Sequence, residues 1–266
     1  AIKRRVPTFV PAVPPLYRRI VEEAERTGVS IRGITYSLSG AMPLTAELID
    51  RWEAATGGLL VEGYGLTETS PVVVGNPMSP QRRPGSIGVP FPDVEIRIVD
   101  PEDPSVEVAP GDRGELLVRG PQVFEGYRGL PEETAAVFHD GWFRTGDVVV
   151  MSDDGFLTIV DRIKEMVITG GFNVYPSEVE DALRAHPSVA DAAVVGLPDA
   201  HAGEQVVAAV VAAVGIAPDP DALREHCRTA LTAYKVPRRV HVLDELPVNA
   251  MGKVLRREVA ALLRDR

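Results

Sequence analysis

Two extended runs separated by an amphipathic helix, within residues 34–64, constrain the fold more than any other feature of the chain. Ile34 to Leu38 reads as a short strand that runs into Ser39-Gly40-Ala41-Met42-Pro43. A helix is predicted after Thr45, with Leu48, Ile49 and Trp52 on one face and a stop at Gly57-Gly58. Leu59 to Tyr64 reads as the next strand. Strand, helix, strand at this spacing predicts a parallel pair within an α/β layer. Upstream, Leu16, Ile20, Val21 and Ala24 recur at helical spacing between Pro14 and Gly28, which adds a second helix.

Beyond Tyr64 the pattern changes twice. Residues 72–92 are rich in proline and glycine and read as loop. From Asp93 short strands follow at Val94–Val99, Glu115–Arg119, Val148–Met151 and Phe156–Val160, with a turn at Asp153-Asp154-Gly155 and a short helix near Pro131–Phe138. After Lys164, Ser177-Glu178-Val179-Glu180 has the form of a capping box opening a helix that stops at Pro187. Strands at Val189–Gly196 and Val206–Val214 precede a helix capped by Asp219-Pro220, with Ala222, Leu223, Cys227, Ala230 and Leu231 on its apolar face. A strand at Arg239–Leu243 and a helix from Val254 follow. The expected organisation is α/β plus α+β. An α/β piece (1–92) and a β-rich lobe (93–163) form part of a larger domain, and a small α+β domain covers 164–266.

Composition narrows the function classes. Hydrophobic residues make up 45% and charged residues 25% of the 266-residue chain, as in a globular protein with a core. A net charge of −10 argues against nucleic acid as a partner. No apolar run approaches the roughly 20 residues of a membrane span, so any membrane contact would be peripheral. Cys227 is the single cysteine, which excludes an internal disulfide and fits a reducing compartment. In a helical apolar face it reads as buried filler. The start Ala1-Ile2-Lys3-Arg4-Arg5 is basic but leads into a proline-broken segment rather than a signal-peptide run, so the expected location is cytoplasmic. The five histidines show no spacing suited to a metal, and no zinc site is expected.

The chemistry concentrates in Glu62-Gly63-Tyr64-Gly65-Leu66-Thr67-Glu68-Thr69-Ser70-Pro71. Gly63 and Gly65 let a ring and bare backbone approach a ligand. Thr67 and Glu68 place a hydroxyl and a carboxylate beside them, a set suited to phosphate and to a hard cation such as Mg²⁺. Three further motifs follow in order: Trp142-Phe143-Arg144-Thr145-Gly146-Asp147, Asp161-Arg162-Ile163-Lys164, and Asn249-Ala250-Met251-Gly252-Lys253. Together, from about Ser37 to Arg257, they resemble the adenylate-forming superfamily of acyl-CoA synthetases, luciferases and peptide-synthetase adenylation domains. Gly120-Pro121-Gln122-Val123-Phe124-Glu125-Gly126-Tyr127 and Gly171-Phe172-Asn173-Val174-Tyr175-Pro176 are most similar to bacterial long-chain fatty acid–CoA ligases.

The resemblance implies roles. Tyr64 would stack on the adenine of ATP or of an acyl-adenylate; otherwise it is a buried strand tyrosine. Thr67 would bond a phosphate and Glu68 would hold Mg²⁺. Gly40 and Ala41 would lie between nucleotide and acyl chain, with Met42 either a pocket wall or core filler. Asp147 would accept from both ribose hydroxyls, and Arg162 would contact ribose and phosphate. Lys164 would be the pivot between domains, or a plain linker residue. Gly170 and Gly171 would line a pantetheine tunnel for coenzyme A, or simply form a tight turn. Lys253 would stabilise the charge developing on the α-phosphate. Lys235, Arg238, Arg239, Lys253, Arg256 and Arg257, six cations against Asp244 and Glu245, leave a local +4 over residues 235–257 that would suit the phosphates of coenzyme A, unless it is a solvated face.

The family's Ser/Thr/Gly-rich phosphate loop has no counterpart before Tyr64. The chain is therefore expected to be the second part of an ATP- and Mg²⁺-dependent ligase joining a fatty acid, or another carboxylate, to coenzyme A. Alone it should adenylate poorly and self-associate through the cut face. The rival expectations are an enzyme loading a carrier-protein phosphopantetheine, an enzyme making only the adenylate, and a non-catalytic piece that binds nucleotide or a partner protein.

Overall fold

A computed structural model describes residues 5–249 and 253–264. The chain divides into two compact units, Ala1–Val160 and Asp161–Arg266. The first unit opens with β1 (Phe9–Ala12), α1 (Pro14–Thr27), β2 (Tyr36–Ser39), α2 (Ala46–Thr56) and β3 (Leu59–Gly65), followed by β4 (Val72–Gly75) and β5 (Val89–Pro90). These strands form one sheet in chain order; β1, β2 and β3 are parallel, and β4 and β5 are antiparallel to their neighbours. The parallel pair expected at residues 34–64 is present. The 72–92 segment, read as loop, contributes two strands: the β-branched run Val72-Val73-Val74 pairs with β3 despite its proline and glycine flanks. β1 was not anticipated because Pro11 interrupts it. As the edge strand of the sheet it can spare the missing N–H.

Local chemistry sets the helix ends. Pro14 begins α1 and Gly28, at φ +66°, ends it. The Thr45 hydroxyl accepts from Leu48 N at the start of α2, and Gly57, at φ +75°, closes it. The two helices cover the sheet through Tyr17, Val21, Leu48, Ile49 and Trp52. Tyr17 and Trp52 meet edge to face, with centroids 4.6 Å apart. The Tyr17 hydroxyl lies 2.7 Å from the Val10 carbonyl and 2.9 Å from that of Leu38, tying β1 to β2.

The second sheet contains β6 (Glu95–Val99), β7 (Gly114–Arg119), then, after α3 (Pro131–Ala136), β8 (Phe138–His139), β9 (Trp142–Met151) and β10 (Leu157–Arg162). The order is β10-β9-β7-β6, with β8 against β9. β9 begins six residues before the expected Val148, because Trp142 to Arg144 pair with β7 and β8.

The second unit holds β11 (Val167–Thr169), β12 (Phe172–Val174), α4 (Pro176–Arg184), β13 (Val189–Asp199), β14 (Gly203–Ala212), α5 (Pro220–Ala230), β15 (Arg239–Leu243) and α6 (Arg256–Arg264). Its central strands are buried on both faces. Val194, Val206, Ala208 and Val210 pack under α4 and α5, whereas Ala193, Val195, Val207 and Ala209 pack under α6. That two-sided burial explains the unbroken apolar run of β14. The expected capping box is not formed: Tyr175 is the N-cap of α4, without a side-chain cap. Ser177 sits inside the first turn, where its N–H donates to Asp161 Oδ2 at 2.9 Å. Glu180 is instead a buried ion-pair partner.

Cys227 is fully buried, and burial pushes its thiol pKa up to about 11. A thiol reagent at pH 8 is expected to label nothing in the folded chain and one group per chain after denaturation. Rapid labelling of folded protein would contradict this packing.

Candidate active site

Two backbone irregularities bring together residues 83 positions apart. β9 pairs with β7 through Arg144 with Leu117 and Val148 with Glu115, so Thr145, Gly146 and Asp147 bulge opposite Leu116. Gly146 has φ +70°, a conformation that glycine adopts freely. The bulge is pinned on all sides. The Thr145 hydroxyl donates to the Leu116 carbonyl at 2.8 Å and accepts from Asp147 N at 3.1 Å. Gly146 N donates to Glu115 Oε1 at 3.2 Å. Glu115, 1% exposed, accepts from Arg144 at 2.6 Å.

The bulge aims Asp147 at β3, which has its own register shift between Tyr64 and Gly65. There the Tyr64 hydroxyl donates to Asp147 Oδ2 at 2.6 Å. Asp147 is 3% and Tyr64 8% exposed, and the Tyr64 ring packs with Val73, Val74, Leu116 and Val149. Most of the tyrosine therefore fills core, while its hydroxyl fixes the carboxylate. Of the flanking glycines, Gly65 is required by neighbouring backbone, whereas a side chain at Gly63 would crowd only the movable end of Leu38. A Cβ on Gly65 would lie 1.7 Å from the Pro71 carbonyl oxygen, and one on Gly63 would lie 2.9 Å from Leu38 Cδ1.

Thr67, exposed, opens a 3-10 turn over Thr67–Thr69, and Glu68 is half-buried behind it. Glu68 is braced twice: Tyr127 Oη donates to its Oε1 at 2.9 Å, and Phe124 N donates to its carbonyl at 2.8 Å. Partial burial and the Glu68 carboxylate hold the Tyr127 hydroxyl above its ordinary pKa. Among the described residues no group of three or more His, Cys, Asp or Glu could hold a metal. Glu68 offers a carboxylate of the kind that a hard cation bringing its own phosphate and water ligands would accept.

Gly40 and Ala41 follow β2, with Ala41 at the strained φ of +67°. Their loop is held by Glu62, whose oxygens accept from Leu44 N at 3.3 Å and Gly85 N at 2.8 Å. Burial raises the Glu62 pKa against these two bonds. Glu62, Glu115 and Tyr127 position the site, and sequence reasoning assigned none of them a role. Glu62 and Tyr127 lie inside recognised motifs and Glu115 on an expected strand, but only the pairing shows what each touches.

In the second unit, Arg162 ends β10, and Lys164 is exposed in a 3-10 turn over Ile163–Glu165. Gly170 and Gly171, at φ +58° and +81°, form the two-residue turn between paired Thr169 and Phe172. This turn by itself accounts for both glycines. Lys253 is exposed; its N–H donates to Asn249 Oδ1 at 3.0 Å. Ala250, Met251 and Gly252 of that motif lie outside the described residues. Two of the six cations counted over residues 235–257 are engaged in ion pairs. Lys235 Nζ contacts both Glu178 oxygens at 2.8 Å, and Arg256 is committed to Glu165 and Glu180.

These motifs are shared with known proteins. Residues 1–128 match the family described as AMP-binding enzyme, and residues 178–253 match the AMP-binding enzyme C-terminal domain. The chain belongs to the AMP-binding enzyme family. A long-chain-fatty-acid–CoA ligase of Yersinia pestis is 44% identical over 95% of this chain and 44% of that protein. The ligase of the same name from Bacillus subtilis is 42% identical over 97% of this chain and 46% of its own length. The crystal structure of ATP-bound MatB from Rhodopseudomonas palustris is 38% identical, with a TM-score of 0.79, and the match covers 99% of this chain and 52% of that one. The chain thus spans less than half the length of these two ligases.

Proposed function

We propose that this chain is the part of a fatty acid–CoA ligase that grips the adenosine end of an acyl-adenylate. The observation that carries this reading is the Tyr64–Asp147 pair, 2.6 Å apart on two bulged strands. A carboxylate held still by a bulge and a tyrosine hydroxyl is a preorganised acceptor for a ribose hydroxyl. Glu68 would add one oxygen to a Mg²⁺ carried by the nucleotide phosphates, and Thr67 would bond phosphate. Arg162 would contact ribose and phosphate. Lys253 would stabilise charge on the α-phosphate as the carboxylate attacks it and pyrophosphate leaves. In the second step the coenzyme A thiol would attack the acyl carbon and release AMP, with Gly170 and Gly171 beside the thiol arm and Lys164 as the pivot. The names of the curated relatives support fatty acid as the carboxylate and coenzyme A as the acceptor. Without the rest of the enzyme, the chain is proposed to bind adenylate but to form little of it.

A thermal melt with a non-hydrolysable fatty acyl-adenylate analogue tests the reading. Ligand at a hundredfold excess over its Kd stabilises the folded state by about 2.7 kcal/mol. The wild-type chain should shift upward with dose, and Asp147→Ala should lose the shift while still melting cooperatively. A folded wild-type sample that shows no shift overturns the assignment for this chain.

A further inference from the structure

The second unit keeps a largely buried cation where a helix disfavours one. Arg256 opens α6, and the first turn of a helix presents unpaired N–H groups whose partial positive charge repels a guanidinium. Its side chain, 22% exposed, is held by three elements. Nε donates to Glu165 Oε2 at 2.9 Å, in the turn that carries Lys164. Nη1 donates to the Val194 carbonyl on β13 at 2.9 Å. The fork of Nη1 and Nη2 takes both oxygens of Glu180 on α4, the second at 3.2 Å. Only a planar guanidinium reaches three such acceptors at once; an ammonium is a point donor.

The chain just before Arg256 is built onto this anchor. Leu255 N donates to the Pro247 carbonyl at 2.8 Å, and Val248 and Val254 form an antiparallel bridge. Asn249 N donates to the Lys253 carbonyl at 2.9 Å, and Lys253 N returns a bond to Asn249 Oδ1 at 3.0 Å. Lys253 therefore stands at the end of a short ladder whose base is Arg256.

We propose that Arg256 is a positioning residue: its guanidinium ties the base of the Lys253 ladder directly to Glu165, the residue after Lys164, and is itself held in place by the buried carboxylate of Glu180. Its use in presenting Lys253 rests on the function proposed above, but the tether is a property of the fold and is tested without it. A buried ion pair adds little stability over well-packed apolar residues, so fixing a register is the better-attested reason to keep one.

The test is residue-resolved amide hydrogen exchange on this chain, with Arg256→Lys and with the double variant Arg256→Met, Glu180→Gln, in which glutamine keeps an acceptor for Val194 N. The double variant removes both charges together and guards against a single variant that fails to fold. In both, the amides of Lys253 and Leu255 should lose protection by about tenfold or more, while Val207, Ala208 and Ala209 at the centre of β14 stay within about threefold of wild type. Lysine should fail to rescue, since it cannot fork. Unchanged protection at Lys253 and Leu255 overturns the proposal. So does a uniform loss that includes β14, which would mark Arg256 as a general stabiliser. If the ladder loosens as expected but the wild-type chain does not respond to the adenylate analogue, the tether stands and the functional reading falls.

Discussion

Glu180→Ala is expected to destabilise the Asp161–Arg266 unit by about 3–5 kcal/mol, the usual cost of removing one partner from a buried ion pair. Glu180 is 4% exposed and does two jobs. Its Oε1 accepts from Val194 N at 2.8 Å, and its two oxygens receive the Arg256 fork. Alanine would orphan a buried backbone N–H and leave a guanidinium at a helix N-terminus with Glu165 as its remaining ion-pair partner among the described residues. Burial works to discharge Arg256, and Glu180, then Glu165, outweigh it and hold its proton on. Glu180→Gln keeps an acceptor for Val194 and should cost less. Urea titration followed through the β14 amides measures both. A loss below about 1 kcal/mol for alanine would show that water or a shifted side chain replaces the carboxylate.

Trp52→Ala is expected to cost the first unit about 3–5 kcal/mol, as for a large aromatic removed from a packed core. Trp52 projects from α2 and is fully buried, edge-on to Tyr17, and its indole N–H donates to Ser37 Oγ at 3.1 Å. Truncation opens a cavity and leaves the Ser37 hydroxyl, 1% exposed, without that donor. The chain has two tryptophans, so Trp142, also in the first unit, still reports unfolding by fluorescence. The β14 amides should be unaffected, because two units need not unfold together. Equal loss in both would contradict the division of the chain at Val160. The position matters for the site because the layer that Trp52 supports contains β3, which carries Tyr64.

The elements that local chemistry dictates were readable directly. Pro14 and Gly28, Thr45 and Gly57, and Asp219-Pro220 delimit helices because caps and breakers act within a turn of chain. β15 was bounded to the residue. Ser177 misled because a capping box and a buried glutamate share one pattern; the choice depended on Asp161 and Arg256, distant in sequence. β4 and β1 were missed because pairing with β3 and β2 outweighed the prolines nearby.

The candidate site divides the same way. Its residue types, Tyr64, Thr67, Glu68 and Asp147 in the first unit and Arg162 and Lys253 in the second, stand in the sequence as motifs, because a motif is written in a short local run. What they touch does not. The bulge at Thr145–Asp147 depends on Glu115 from another strand, and the brace on Glu68 depends on Tyr127, 59 positions away. The sequence by itself determined the family, the helix ends and the chemical groups on offer, all carried by local spacing. Only the tertiary structure decided which strand met which, and so that Asp147 faces Tyr64 and Arg256 answers Glu180. Such contacts rest on cross-strand register and on burial of charge, and neither is recorded in any one segment of chain.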